Sequence, residues 1–99
     1  MLLASKNINP ESLQINGPYS VECGEYVEYS MPEISGATYT WSSDNGYLIK
    51  MGGNYATTYF YAIGYIPGGG NSIGDILRCT VTLGGTTIYQ YTPVYITNY

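Results

Sequence analysis

Three stretches of this chain alternate side-chain character with a period of two: Gly24-Glu25-Tyr26-Val27-Glu28-Tyr29, Ala37-Thr38-Tyr39-Thr40-Trp41, and Ile76-Leu77-Arg78-Cys79-Thr80-Val81-Thr82-Leu83. In an extended strand successive side chains point to opposite faces, so this period describes strands with one face buried and one wet. A helix needs a period near 3.6, and no segment of the chain shows one. The three runs frame the only Trp. With Val27, Tyr29, Tyr39, Trp41, Cys79 and Val81 on the inward positions, they predict two facing sheets closed around that indole.

The remaining strands are read from the same period and from the turn residues between them. Leu13-Gln14-Ile15 alternates, Asn16-Gly17-Pro18 interrupts, and Tyr19 to Cys23 resumes. This predicts an edge strand broken at a Gly-Pro kink, because Pro is tolerated at edges and bulges. In the strand ending at Met31, Val27, Tyr29 and Met31 share a face opposite Glu28 and Ser30. Ser43-Asp44-Asn45-Gly46 is a strong turn signal, since Asn-Gly accepts positive φ at low cost. Tyr47 to Met51 and Thr57 to Ile63 read as strands. Gly64 to Gly74, with Pro67-Gly68-Gly69-Gly70-Asn71, reads as a long coreless loop of the kind that orders on a partner. Asp75 to Leu83 and Thr86 to Thr97 are joined by Gly84-Gly85, a two-residue hairpin turn. Pro93 marks a bulge or an edge. The expectation is an all-β, antiparallel sandwich of about seven to eight strands, with turn signals every roughly 8–12 residues.

At 99 residues the chain has room for one domain. Residues 1–12 lack a period and read as an N-terminal arm; 13–99 read as the sandwich. Met1 to Lys6 lacks a basic leader and a full apolar segment, so no intact signal peptide is expected there. The net charge is −4, and Lys6, Lys50 and Arg78 are the only basic residues. No basic stripe could neutralise a phosphate backbone, which argues against nucleic acid. No run of about 18 apolar residues is present, so membrane insertion by a helix is not expected.

The residue set is poor in chemistry. The chain has no His, which removes His-based triads and metal sites. Gly68-Gly69-Gly70 lacks the Lys-Ser/Thr and helix of a phosphate loop. Glu22, Glu25 and Glu28 could offer oxygens to calcium, but read better as solvated charges guarding a sheet edge. No cofactor, metal or catalytic residue is assigned, and the chain is read as non-enzymatic. Cys23 and Cys79 permit one disulfide or two buried thiols.

Ile15-Asn16-Gly17-Pro18, Val21-Glu22-Cys23-Gly24, Ala37 to Ser42, Asp44-Asn45-Gly46 and Arg78-Cys79-Thr80-Val81 follow one another in an order that resembles immunoglobulin-like and PKD-like modules. The closest flavour is that of gut-bacterial surface proteins and phage virions. The resemblance covers roughly residues 13–97. It departs at the cysteines. In immunoglobulin domains the first Cys lies deep in the second strand, where Val27, Tyr29 or Met31 sits here. Cys23 comes several residues earlier, at roughly 3.3 Å per residue, too far for the usual bridge to Cys79 across a Cα separation of at most about 7 Å.

Function is therefore sought on surfaces. Charged residues are 10% of the chain, against 13 tyrosines. Tyr26, Tyr47, Tyr55, Tyr65, Tyr89, Tyr91, Tyr95 and Tyr99 cannot all be buried in a domain this small. Exposed Tyr serves protein interfaces and stacks on sugar rings. The resemblance implies a structural module docking on a larger assembly. That assembly is expected to be a phage virion, with the chain an auxiliary (decoration) capsid protein or a tail accessory on the virion surface. The expected contacts are Leu2, Leu3 and Ile8 of the arm, Tyr65, Ile66 and Asn71 of the Gly64–Gly74 loop, and Tyr89, Tyr91 and Tyr95. The alternative is an adhesion or carbohydrate-binding module of a secreted or cell-surface bacterial protein, its tyrosines contacting glycan.

Overall fold

The computed structural model describes residues 13–98; the arm residues Leu2, Leu3 and Ile8, and Tyr99, lie outside them. Seven strands follow in order: β1 (Ser20–Glu22), β2 (Tyr26–Ser30), β3 (Thr38–Ser43), β4 (Leu48–Lys50), β5 (Thr57–Ala62), β6 (Ser72–Leu83) and β7 (Thr86–Thr97). They form a four-stranded sheet in the order β1-β7-β6-β3 and a three-stranded sheet in the order β2-β5-β4. The protein is an all-β sandwich. Consecutive strands β1, β2, β3 and β4 change sheet at each step, so the three connections between them each pass from one sheet to the other.

The alternation becomes burial strand by strand. Val27 and Tyr29 of β2, Tyr39 and Trp41 of β3, and Leu77, Cys79 and Val81 of β6 are all buried. Phe60 of β5 sits between the layers, edge-on to both Tyr29 and Trp41. The Trp41 indole N–H donates to the Tyr55 carbonyl at 2.7 Å. A buried indole thereby keeps its polar atom satisfied, as burial requires.

The first segment divides between the sheets. Asn16 bridges antiparallel to Ser30 at the rim of the small sheet, whereas β1 pairs with β7 of the large one. Gly17 makes the crossing possible: a Cβ there would lie 2.2 Å from the Tyr29 ring. Pro18 then accepts the Tyr29 hydroxyl at 2.8 Å. After the crossing the chain runs parallel to β7, so one pair of an otherwise antiparallel molecule is parallel.

Two loop readings need different outcomes. The turn at Asn45-Gly46 forms, with Gly46 at φ +77°. The Gly64–Gly74 segment is not a coreless loop. Ile66 is buried at 6% exposure, and β6 begins at Ser72. Between Ile66 and β6 lies a short 3-10 turn, Pro67–Gly69. An apolar side chain beside a sheet end is drawn into the core because its burial outweighs the ordering of a few loop residues. Ile66 is therefore corrected from a partner contact to a core residue.

Pro93 sits at an edge. Tyr95 N–H donates to Tyr19 on the β1 side, whereas Asn98 N–H donates to Asn71 on the β6 side. Backbone groups alternate sides along a strand, so residue 93 faces away from β6. β1 pairs only from Tyr95 onward. The missing N–H of Pro93 falls where no neighbour needs it.

Candidate interaction surface

The inward set of β7 is Ile88, Gln90, Thr92, Val94 and Ile96, all partly or fully buried. The alternate set therefore faces out. Tyr89, Tyr91, Pro93 and Tyr95 form one column on the outer face of the large sheet, with steps of about 6.8 Å. Tyr89, Tyr91 and Tyr95 are 70%, 64% and 54% exposed. Register sets the neighbouring columns. Opposite Tyr89, Tyr91, Pro93 and Tyr95 lie Thr80, Arg78, Ile76 and Gly74 of β6. Beyond Thr80 and Arg78 lie Thr40 and Ser42 of β3. Among the described residues nothing covers this face, which is made of aromatic rings beside hydroxyls.

Arg78 is the one cation on it among the described residues. Its guanidinium lies 5.3 Å from the centre of the Tyr91 ring, within cation–π range. It also makes a two-point contact with the Asp44 carboxylate, the Nη2–Oδ2 arm being 3.0 Å. The Arg78 hydrogen bond and charge hold the Asp44 carboxyl below the usual carboxylate range. The pair fixes the guanidinium against the ring that it supports.

Asp75 holds the end of this face in place. It is buried at 2% exposure. Its carboxylate accepts the backbone N–H groups of Asn45 at 2.8 Å, Tyr47 at 2.9 Å and Ile76 at 2.7 Å. One acidic side chain thus ties the β3–β4 turn to β6. Beside it a small cleft of about 200 Å³ is lined by Asn45, Gly74, Asp75, Ile76, Pro93 and Tyr95.

The outer face of the small sheet is of a different kind. Tyr26 and Tyr61 pair across β2 and β5 with ring centres 5.0 Å apart. Ile49 pairs with Tyr61 from the other side. Glu28, paired opposite Tyr59, raises the Tyr59 hydroxyl above its usual range through a hydrogen bond and its charge. Ile49, Met51, Tyr26 and Tyr59 are exposed.

A larger cleft, about 660 Å³, opens between the β2–β3 turn and Asn54-Tyr55-Ala56. Two of its polar side chains are already engaged. Tyr39 donates to Pro32 and accepts from Ile34 N–H, and the Asn54 side-chain oxygen accepts from Lys50 and Trp41 N–H.

The acidic trio does not gather. Glu25 accepts the Glu22 backbone N–H at 2.9 Å, and Glu28 engages Tyr59. Among the described residues no three His, Cys, Asp or Glu side chains come close enough to hold a metal ion. Cys23 and Cys79 are both free thiols. Cys23 N–H bonds to Thr97, the partner of Ser72, whereas Cys79 lies seven residues further along β6. At about 3.3 Å per residue that separates them by roughly 23 Å, far beyond a disulfide's reach.

Of the residues read from sequence as contacts, Tyr65, Asn71, Tyr89, Tyr91 and Tyr95 are exposed. Tyr65 and Asn71 belong to the short β5–β6 connection rather than to the β7 column. Tyr19 and Tyr59 are also exposed, at 62% and 52%, and sequence reasoning did not pick them out. In Thr57–Ala62 aromatic residues occupy both alternating sets, so period alone cannot say which set faces inward. Compared with known proteins, the chain matches no family model, no curated protein and no solved structure.

Proposed function

We propose that this chain is an immunoglobulin-like, non-enzymatic module that docks on a larger protein assembly through its tyrosine-bearing outer faces. The observation that carries the reading is the column Tyr89-Tyr91-Pro93-Tyr95, exposed among the described residues and braced by Arg78. Exposed rings with few rotatable bonds, neighboured by few charges, are what protein interfaces select. Support for the immunoglobulin-like part comes from sheet order. β2-β5-β4 against β3-β6-β7 corresponds to the B-E-D and C-F-G arrangement of that fold.

The assembly we propose is a phage virion, with the chain a decoration or tail accessory protein on its surface; this finer step rests on the sequence resemblance. The test is site-specific photo-crosslinking from position 91 in the native context, followed by identification of the adduct. A capsid or tail protein is the expected product. Adducts spread over unrelated proteins, or none, would count against docking through this face.

A second reading has its own support. A flat aromatic column beside the hydroxyls of Thr80, Thr40 and Ser42 suits sugar rings, which offer an apolar face and hydroxyl edges. This is the adhesion or carbohydrate-binding alternative, at a bacterial cell surface or in a secreted protein. Glycan-array binding lost in Tyr91→Ala would favour it over the virion reading.

A further inference from the structure

We infer that Asn45-Gly46 is a site of spontaneous deamidation in the folded protein, and that its isoaspartate product frees the β3–β4 turn from Asp75. The chain's other Asn-Gly pair, Asn16-Gly17, is held unreactive by the same fold. This chemistry is independent of the docking reading above.

The reaction needs only water. The Gly46 backbone nitrogen attacks the Asn45 side-chain Cγ. A bond forms between them, the Cγ–Nδ2 bond breaks, and Nδ2 leaves as ammonia with the proton that Gly46 gives up. Water then opens the five-membered imide. Attack at Cγ gives aspartate on the original backbone. Attack at the Asn45 main-chain carbonyl carbon gives isoaspartate, with the chain rerouted through Cβ and Cγ. Glycine favours ring closure because it puts no side chain beside the attacking nitrogen and lets the peptide unit before it rotate.

Sequence alone makes the two pairs equal, since Asn-Gly occurs at 16–17 and at 45–46. Exposure does not separate them either: all four residues are exposed. Backbone bonding does. Closure requires the Asn-Gly peptide unit to turn until its nitrogen meets Cγ. At Asn16 that unit is fixed. Asn16 C=O accepts Ser30 N–H at 2.9 Å, and Asn16 N–H donates back at 2.8 Å. Gly17 lies so close to the Tyr29 ring that a Cβ would come within 2.2 Å of it, and Tyr29 is fully buried. Turning this unit breaks the bridge and pushes into a packed core.

At Asn45 the anchors flank the peptide unit instead of holding it. Asn45 N–H and Tyr47 N–H donate to the two oxygens of Asp75, at 2.8 and 2.9 Å. The unit between them can rotate through offsetting changes in ψ of Asn45 and φ of Gly46. Glycine adopts positive and negative φ alike, and Gly46 stands at +77°. No described atom lies within 4 Å of the place its Cβ would take. Among the described residues no backbone bond of a turn or loop holds the Asn45 carbonyl. The departing nitrogen is kept by one exposed bond to Gly74 at 3.2 Å.

The product undoes the anchor. Isoaspartate lengthens the main chain between the two N–H groups by one carbon, so one carboxylate no longer meets both. It also sets a new carboxylate next to Asp44 and close to the buried Asp75, where like charges repel.

Peptide mapping by mass spectrometry, on protein aged in mildly alkaline buffer, tests this, since exchanging the amide for a carboxyl shifts the peptide mass. In the folded protein Asn45 should react at least about tenfold faster than Asn16, where the bridge and the ring add to the barrier. In the urea-unfolded chain the two rates should agree to within a few-fold. Asn45→Gln should abolish the signal at 45, because the longer side chain closes a six-membered ring slowly. In the isoaspartate fraction the Tyr47 amide should exchange at least about tenfold faster than in unaged protein. Equal rates at positions 16 and 45 in the folded protein would overturn the inference. So would an Asn45 rate more than about tenfold below its unfolded value, or a Tyr47 amide that stays protected in the isoaspartate fraction.

Discussion

Tyr29 and Tyr39 in the interior and Tyr89 and Tyr91 on β7 are the same residue put to opposite uses. Inside, each ring is packed and each hydroxyl has a carbonyl acceptor: Pro18 for Tyr29, Pro32 for Tyr39. These bonds fasten the connections that cross between sheets. Outside, the rings lie on the sheet with no core above them among the described residues, and the Arg78 guanidinium lies over the Tyr91 ring. The comparison teaches that tyrosine content alone does not locate a surface in this chain. What distinguishes the two groups is the layer opposite: Tyr29 on the small sheet and Tyr39 on the large one point into the core between the sheets, and nothing in the described residues faces β7's outer column.

Substitutions can break this contrast, beginning inside. Trp41→Ala should cost about 3–5 kcal/mol through lost transfer energy and a cavity, and should leave the Tyr55 carbonyl without its donor. In a domain whose total stability is about 5–15 kcal/mol, urea unfolding will show a collapse of the midpoint or no folded baseline. Asp75→Ala removes the acceptor for three backbone N–H groups. A loss of about 3 kcal/mol is expected, with faster amide exchange confined to Asn45, Tyr47 and Ile76.

Alkaline titration separates interior from exterior without mutation. Burial pushes the Cys79 thiol up to about 12 and raises the Tyr29 hydroxyl above its usual range, with Glu25's charge adding to the effect. An unfolded thiol ionises near pH 8.5 and an unfolded tyrosine near pH 10. In each case the fold keeps a proton that the unfolded chain has already released. The stability linked to Cys79 is therefore complete below about pH 8.5 and is lost as pH rises toward 12, by up to about 1.4 kcal/mol per pH unit. Unfolding midpoints at pH 8 and 9.5 should differ accordingly, and the slope between them should flatten in Cys79→Ala. Tyr29 adds a second decline above about pH 10.

The smallest effect is the sharpest comparison. Tyr29→Phe should lose about 1 kcal/mol, the value of a hydrogen bond whose acceptor is then stranded. Tyr91→Phe should stay within about 0.5 kcal/mol of the wild type. Equal losses in a paired thermal melt would show that the two regions do not differ as described.

Much of the fold was readable in one dimension. The period of two in β2, β3 and β6 identifies strands and their inward residues, because pleating is a local property of extended backbone. The Asn45-Gly46 and Gly84-Gly85 turns were readable for a similar reason, since positive φ is a local demand. The site was readable only in part. Alternation along β7 places Tyr89, Tyr91 and Tyr95 on one face, but Tyr19 and Tyr59 escaped notice. Ile66 was misread because glycines around it suggested a loop with nothing to bury.

What the sequence determined by itself was the set of strands, the turns between them, a charge-poor and tyrosine-rich composition, and a chain lacking histidine. Tertiary structure alone decided which alternating set of β5 faces the core, that the first segment divides between two sheets and runs parallel to β7, and that Asp75 anchors a turn thirty residues before it. Those outcomes depend on which layer lies opposite and on which groups meet across long stretches of chain. No local pattern carries that information, because burial is a relation between distant segments rather than a property of any one of them.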